Sequence, residues 1–132
     1  MGGVRLLLDT HTLLWWWSDP DRLSARVASL LRDPANTVSV SAASAWEIAT
    51  KHRIGEFPDG GRIVQQWQER IASDRFAELP ILCRHALRAG SLPGDHRDPF
   101  DRMIAAQSIL EEVPVVSADG QISALGAERV WE

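Results

Sequence analysis

Four acidic side chains stand where short apolar segments of the sequence give way to helical or turn-like sequence. They are Asp9 after VRLLL, Glu47 after TVSV, Asp101 in DRMIAAQ and Asp119 after VPVVSA. Ligands of an open parallel α/β sheet bind beyond the carboxyl ends of the strands, so acids from four segments can converge at that edge. Gathered carboxylates repel one another unless a hard divalent cation such as Mg²⁺ lies between them. The pattern therefore predicts a metal-dependent enzyme that acts on a phosphate-containing substrate.

Asp9 and Glu47 each have an ordinary structural explanation as well. Asp9 could cap the short helix that follows it, although its place directly after a buried strand favours a ligand role. Glu47 could form a surface ion pair with Lys51, four residues on, worth only ~0.3–0.5 kcal/mol. The residues around Glu47, in AASAWEIATKH, are mostly apolar. An acid among them is expected to face a cavity or an interface rather than bulk water.

The other acids also fit structural roles. In HRDPFDRMIAAQ, Asp98 followed by Pro99 is typical of a helix N-cap and first position, and Asp101 then stands where a carboxylate favours the helix dipole. We expect one of the two to be a ligand and favour Asp101, because Asp98 would be occupied by backbone donors. Asp119, next to Gly120, could simply form a turn. Its place at the same predicted edge favours a role in the site.

Length and composition limit the alternatives. With 132 residues, 45% of them hydrophobic, the chain is expected to be a single domain over residues 1–132. The single cysteine, Cys83, excludes an internal disulfide and a Cys-rich zinc site. No apolar run reaches the ~18–20 residues of a membrane span, and the N-terminal segment is too short for a signal sequence. We therefore expect a soluble, cytoplasmic protein that does not associate with membranes.

Basic and aromatic residues suggest where partners bind. The net charge of −4 argues against a general nucleic-acid coat protein, but the 14 basic residues, of which only Lys51 is a lysine, form local groups. Arg97 and Arg102 flank the acids of the DPFD segment and are predicted to contact phosphate, since arginine suits bidentate phosphate binding. His11, two residues after Asp9, could contact substrate or fill the first helical turn.

Three consecutive tryptophans, Trp15, Trp16 and Trp17, follow in the first predicted helix. On a helix, three consecutive rings spread over about 200°, so they cannot all enter one core stripe. Packing against the core and the helix flanks could still absorb them. We expect at least one of them to lie in an interface, with a second copy or with another protein, because tryptophan is enriched at binding hot spots.

Strands alternate with helices along the sequence. This order favours a mostly parallel sheet covered by helices on both faces. The predicted strands are Val4–Leu8, Thr37–Val40, a short edge strand near Phe76–Ile81, Val113–Ser117 and a last strand after Gly126. The predicted helices are Thr10–Trp17, one capped by Ser24, Ala42–Ile54, one carrying Ile63, Val64, Trp67 and Ile71, Arg84–Ala89, Pro99–Glu112 and a short helix before the last strand.

Four strings carry a family resemblance over nearly the whole chain. In their order and spacing, LLLDTHTLLWW, SAASAWEIA, HRDPFDRMIAAQ and VVSADG resemble a PIN-domain ribonuclease of the VapC type, the toxin of a toxin-antitoxin pair. The resemblance implies a three-layer α/β/α fold, a homodimer, dependence on Mg²⁺ or Mn²⁺, endonucleolytic cleavage of RNA and a VapB-like antitoxin. The family's acids fall on Asp9, Glu47, Asp101 and Asp119, with Asp98 as a second possibility for the third position.

The reaction expected from these residues is metal-assisted hydrolysis of a phosphodiester. Asp9, Asp101 and Asp119 would hold one or two ions, and Glu47 would orient a water or hold a second ion. Two alternatives stay open at this stage. One is a PIN scaffold without activity that binds RNA or protein. The other is a metal-dependent phosphatase, although His11 stands where a haloacid-dehalogenase-like enzyme has its second aspartate.

Overall fold

The structure, a computed structural model, describes residues 2–132 and contains one five-stranded sheet in which every strand pair is parallel. The strand order is β3-β2-β1-β4-β5. The strands are β1 (Arg5–Leu8), β2 (Thr37–Ser41), β3 (Ala77–Leu79), β4 (Val115–Val116) and β5 (Arg129–Val130). Because the chain builds outward from β1 first to β2 and β3 and then to β4 and β5, the order reverses between β1 and β4. A crevice at the carboxyl ends of these two strands is where such sheets bind ligands.

The helices that cover the sheet follow the predicted order. They are α1 (Thr10–Ser18), α2 (Ala25–Arg32), α3 (Ala42–Arg53), α4 (Gly60–Gln65), α5 (Trp67–Ser73), α6 (Cys83–Ser91), α7 (Pro99–Glu111) and α8 (Gln121–Ala124), with a 3-10 turn at Pro20–Arg22. Ser24 caps α2 by accepting from the Val27 N–H at 3.1 Å. Gly55, just after α3, has a φ of 82°, a left-handed conformation that favours glycine. Within residues 2–132, no helix is both long and apolar enough to cross a bilayer.

β1 is apolar at successive positions because a hydrophobic layer covers each face of the sheet. Successive strand residues point to opposite faces. Leu6 and Leu8 accordingly pack with residues of α1, α2, α4 and α5, whereas Leu7 packs with residues of α6, α7 and α8. All three leucines are buried. The predicted three-layer α/β/α sandwich around a parallel sheet is confirmed.

The helix predicted around Ile63, Val64, Trp67 and Ile71 is in fact two helices. Gln66 ends α4 with φ −99° and ψ 11°, and α5 starts at Trp67. The Trp67 ring packs edge-on against Trp17, with centroids 5.6 Å apart, and its Nε1 donates to Glu78 at 3.1 Å. These contacts are with residues of other elements, α1 and β3. They set the direction of α5, which helical periodicity does not specify.

The three consecutive tryptophans are all half-buried and each packs against a different aromatic residue of the chain. Trp15 packs against Trp131, Trp16 against Phe76 and Trp17 against Trp67. Trp17 also donates from Nε1 to Asp74 at 2.7 Å. Packing against the flank of the core therefore occupies much of each ring. The predicted part of these residues in an interface stays a prediction.

Candidate active site at the carboxyl edge of the sheet

Asp9 directly follows β1, at the point where the strand order reverses. Its side chain is 5% exposed, and one carboxylate oxygen accepts the Thr12 N–H at 2.8 Å, which caps α1. Its own N–H donates to the Val116 carbonyl of β4 at 3.2 Å. Burial raises the pKa of Asp9, an effect that hydrogen bonds from Ser117 and Thr12 offset only in part. Asp9 is thus both the helix cap and a buried carboxylate in the crevice.

Ser117 connects Asp9 to Asp119. The Ser117 side chain is buried, hydrogen-bonds Asp9, and accepts the Asp119 N–H on its hydroxyl oxygen at 3.0 Å. Asp119 itself is exposed, and its carboxylate accepts the Gln121 N–H at 2.9 Å. Its contacts are therefore those of a turn former next to the crevice. Ser117 was not predicted as a site residue, although it directly follows β4 and so lies at the same edge of the sheet.

Glu47 lies in the second turn of α3 and is buried, 3% exposed, as its apolar neighbours predicted. One carboxylate oxygen, Oε2, accepts from the Lys51 ammonium at 2.5 Å. The other, Oε1, is buried and has no hydrogen-bond partner among the residues described. A buried carboxylate oxygen without a partner is costly unless a ligand completes its coordination. This atom is the strongest sign that the site suits a cation.

The two acids of the DPFD segment make different contacts. Asp98 caps α7, accepting the backbone N–H groups of Phe100 and Asp101 at 2.9 and 3.0 Å. Asp101 is half-buried and its carboxylate bonds the His96 ring at 2.8 Å. Burial raises the pKa of Asp101, and the negative charges of Asp98 and Glu47 raise it further. The segment therefore has the geometry expected when Asp98 serves the backbone and Asp101 remains for a ligand.

A cleft of about 340 Å³ opens beside Glu47, and Lys51 and His11 are among the other residues that line it. His11 is exposed there, and its ring lies 6.0 Å from that of Trp15. A larger cleft of about 570 Å³ lies between the start of α3 and the edge strand β3, and Glu78 is the one acid that lines it. The smaller cleft is the better site for phosphate chemistry because it adjoins the buried carboxylate.

The two arginines near the site differ in their contacts. The half-buried Arg102 guanidinium donates to the carbonyls of Ala89 and His96, each at 2.9 Å, and also to that of Leu92. It holds the loop between α6 and α7. A phosphate could therefore contact this guanidinium only in addition to the three carbonyls. Arg97 is exposed and forms no ion pair among residues 2–132. Its guanidinium is free to meet substrate.

The acids meet in two groups rather than one. Glu47, Asp98 and Asp101 interact electrostatically, whereas Asp9 is linked through Ser117 to the backbone N–H of Asp119. A hydrogen bond of 3.0 Å between the hydroxyls of Thr10 and Ser44 links the segments that carry the two groups. Within residues 2–132, no three His, Cys, Asp or Glu side chains are already arranged to hold a metal ion. The all-oxygen donor set and the unpartnered Glu47 Oε1 nevertheless fit a hard cation, which would bind after side chains reorient.

Known proteins resemble this chain over nearly its whole length. The profile of the PIN domain matches residues 6–128. Ribonuclease VapC22 of Mycobacterium tuberculosis (strain ATCC 25618 / H37Rv) is 31% identical over 122 residues, which cover 89% of this chain and 88% of that protein.

Solved structures show the same fold. VapBC2 from Rickettsia felis, bound to a DNA fragment from its promoter, superposes with a TM-score of 0.71 at 14% identity and covers 98% of this chain and 100% of that one. FitAcB from Neisseria gonorrhoeae gives 0.65 at 18% identity, covering 94% and 95%. The sequence match and the shared architecture agree, and this chain belongs to the PIN-domain family.

Proposed function

We propose that this protein is a metal-dependent endoribonuclease and the toxin of a VapBC-like toxin-antitoxin pair. The observation that carries the chemical part is the burial of two carboxylates, Asp9 directly after β1 and Glu47 in α3, the second of which interacts electrostatically with the half-buried Asp101. Burying charge at this cost is typical of a functional site. The relationship to a protein named as a ribonuclease supports RNA as the substrate.

The side chains that would hold Mg²⁺ or Mn²⁺ in this proposal are Asp9, Glu47 and Asp101. When bound, the cation supplies charge neutralisation at the scissile phosphate and makes a water more acidic. Asp98 caps α7 and so keeps in place the first turn of the helix, which carries Asp101. His96 orients the Asp101 carboxylate through their 2.8 Å contact. Asp119, with Ser117, would position Asp9 or a solvent molecule at the crevice.

Substrate contacts are proposed from the residues around the cleft. His11 lines the cleft and Arg97 is exposed on the loop before α7, where both could meet phosphate oxygens. Trp46 is 53% exposed, and its ring packs edge-on against Phe100 with centroids 4.6 Å apart. Trp46 precedes Glu47 in α3 and Phe100 precedes Asp101 in α7, so this contact joins the two helices that carry these acids. An exposed, supported indole is suited to stack on an unpaired RNA base.

The proposed partners are an antitoxin and a second copy of this chain. The structural relatives include a toxin-antitoxin complex from Klebsiella pneumoniae, with a TM-score of 0.62 at 20% identity. The half-buried tryptophans of α1 and the exposed Leu87 of α6 offer apolar surface for such contacts. A single domain over residues 1–132 is part of the same proposal, since the two hydrophobic layers share one sheet.

The experiment that tests this function is cleavage of a structured RNA by purified protein, with and without metal. We expect internal cuts in Mg²⁺ or Mn²⁺, none in EDTA, and none with the Asp9→Asn variant in either metal. An EDTA-resistant cut, or wild-type turnover by Asp9→Asn, would contradict the proposal. RNA binding without any cleavage would instead favour a PIN scaffold that only binds.

A further inference from the structure

Lys51 occupies an unusual position in the acidic site. It is the one lysine among 14 basic residues, and its ammonium lies 2.5 Å from Glu47 Oε2. The Glu47 side chain is buried, whereas that of Lys51 is 34% exposed. The lysine therefore reaches from the protein surface into the site and neutralises a buried carboxylate.

The negative charges of three acids act on the Lys51 ammonium. Its own partial burial would lower the pKa of Lys51, but the hydrogen bond and charge of Glu47, with the charges of Asp98 and Asp101, outweigh that effect and raise it. A surface pair at this helical spacing interacts only weakly, since water screens both charges. Here one partner is buried and two further carboxylates act on the same ammonium. Breaking this ion pair should therefore cost more free energy than breaking an ordinary surface pair.

The chemistry of lysine suits a cation that can leave. Lysine carries a compact point charge on a flexible stem, while arginine holds carboxylates in a rigid two-pronged contact. The Lys51 ammonium uses only Glu47 Oε2 and leaves Oε1 without a partner. Because about a third of the side chain is already exposed, the ammonium can turn outward into solvent.

We propose that Lys51 is a tethered counter-cation, which neutralises Glu47 in the metal-free protein and must leave it when the divalent ion binds. Lys51 thereby weakens metal binding and stabilises the metal-free fold. The inference rests on the proposed function, because it takes Glu47 to be part of a metal site. Two cations that compete for one carboxylate are thermodynamically linked, so removing the tethered one must strengthen binding of the free one.

The test compares Lys51→Met with wild type and with Arg53→Met. Methionine keeps the length of the side chain and removes its charge. Arg53 is an exposed basic residue in the same last turn of α3 and forms no ion pair within residues 2–132, so Arg53→Met controls for net charge and for the helix dipole. Mn²⁺ affinity is measured by calorimetric titration at one fixed pH, and the melting temperature is measured in EDTA and in saturating Mn²⁺.

We expect Lys51→Met to bind Mn²⁺ about three- to tenfold more tightly than wild type, the size of effect expected when an ion pair with one buried partner is removed. Its melting temperature should fall in EDTA and recover most of that loss in Mn²⁺. Because binding and unfolding form a closed cycle, the affinity ratio must match the difference between the two stability losses. Arg53→Met should match wild type in affinity, and Lys51→Arg should bind no more tightly than wild type.

Equal or weaker Mn²⁺ binding by Lys51→Met would overturn the proposal, as would the same loss of stability in EDTA and in Mn²⁺. A variant that folds only with Mn²⁺ would support it. If Lys51→Met is unfolded in both conditions, Lys51→Gln, which keeps a donor without the charge, replaces it with the same expected order of affinities. A wild-type protein that binds no Mn²⁺ would instead defeat the metal site of the proposed function, and the Lys51 inference with it.

Discussion

Replacing Arg102 with methionine separates two roles for this side chain. The sequence predicts a phosphate contact, whereas in the structure its guanidinium donates to the carbonyls of Ala89, Leu92 and His96. These carbonyls belong to the end of α6 and to the loop that leads to α7. The bonds thus fix the loop that carries His96, the residue in contact with Asp101. Methionine keeps much of the apolar stem but removes every donor.

The expected cost follows from the three bonds. A hydrogen bond from a charged group contributes about 1.5–3 kcal/mol when it is measured singly. Bonds that share one side chain are not additive, and the variant no longer pays for the partial burial of the guanidinium. We therefore expect the free energy of unfolding to fall by about 3 kcal/mol, and the melting temperature by roughly 10 °C.

Denaturant unfolding and RNA cleavage, measured on the same preparations, test this prediction. Arg97→Met is the matched control, because Arg97 is exposed and the same charge is lost from the loop just before α7, the helix that carries Arg102. It should leave the free energy of unfolding within ~0.5 kcal/mol of wild type and weaken RNA binding, with a shallower salt dependence. A loss below ~1 kcal/mol in Arg102→Met, together with a salt-dependent rise in KM, would refute the structural role and restore the phosphate contact.

Three further predictions concern the site itself. Asp9→Asn should abolish cleavage, yet it should unfold at no lower temperature than wild type in EDTA at pH 8. Burial raises the pKa of Asp9, so the buried charge destabilises wild type only above the pKa of the folded state. As the pH falls toward 4, the stability of the variant relative to wild type should therefore decline, which a series of thermal melts will show. Chelation of the metal should stop cleavage by wild type, and added Mg²⁺ or Mn²⁺ should restore it; activity that survives exhaustive dialysis against EDTA would count against metal chemistry. Trp46→Ala should raise KM for single-stranded RNA about tenfold and leave Mn²⁺ affinity unchanged; an unchanged KM with a shift from dimer to monomer would place this ring in a subunit interface instead.

Much of the architecture was predictable because it depends on local patterns. The β1 segment is apolar at every position from Leu6 to Leu8, which is the signature of a strand buried on both faces. Ser24 and the Asp98-Pro99 pair mark the starts of α2 and α7 by capping chemistry that acts within a few residues. The division between α4 and α5 was not predictable, because it depends on contacts of Trp67 with residues from other elements.

The site was predictable in its residues but not in its arrangement. The ion pair of Lys51 with Glu47 follows from helical spacing, yet the burial of Glu47 depends on how α3 packs against the sheet and α7. The His96 contact with Asp101 and the bonds of Arg102 depend on the path of an irregular loop. No periodicity specifies such a path. Asp9 could be read as ligand or as cap, and its capping bond to Thr12 leaves the ligand role compatible with the structure.

The most direct test of the central claim is the anomalous scattering of Mn²⁺ in crystals of the wild-type protein. The proposal predicts an ion within bonding distance of Glu47 Oε1, with Asp9 and Asp101 carboxylates turned toward it and the Lys51 ammonium displaced. An ion bound elsewhere, or no ion in a protein that still cuts RNA, would contradict the assignment of these acids as the metal site.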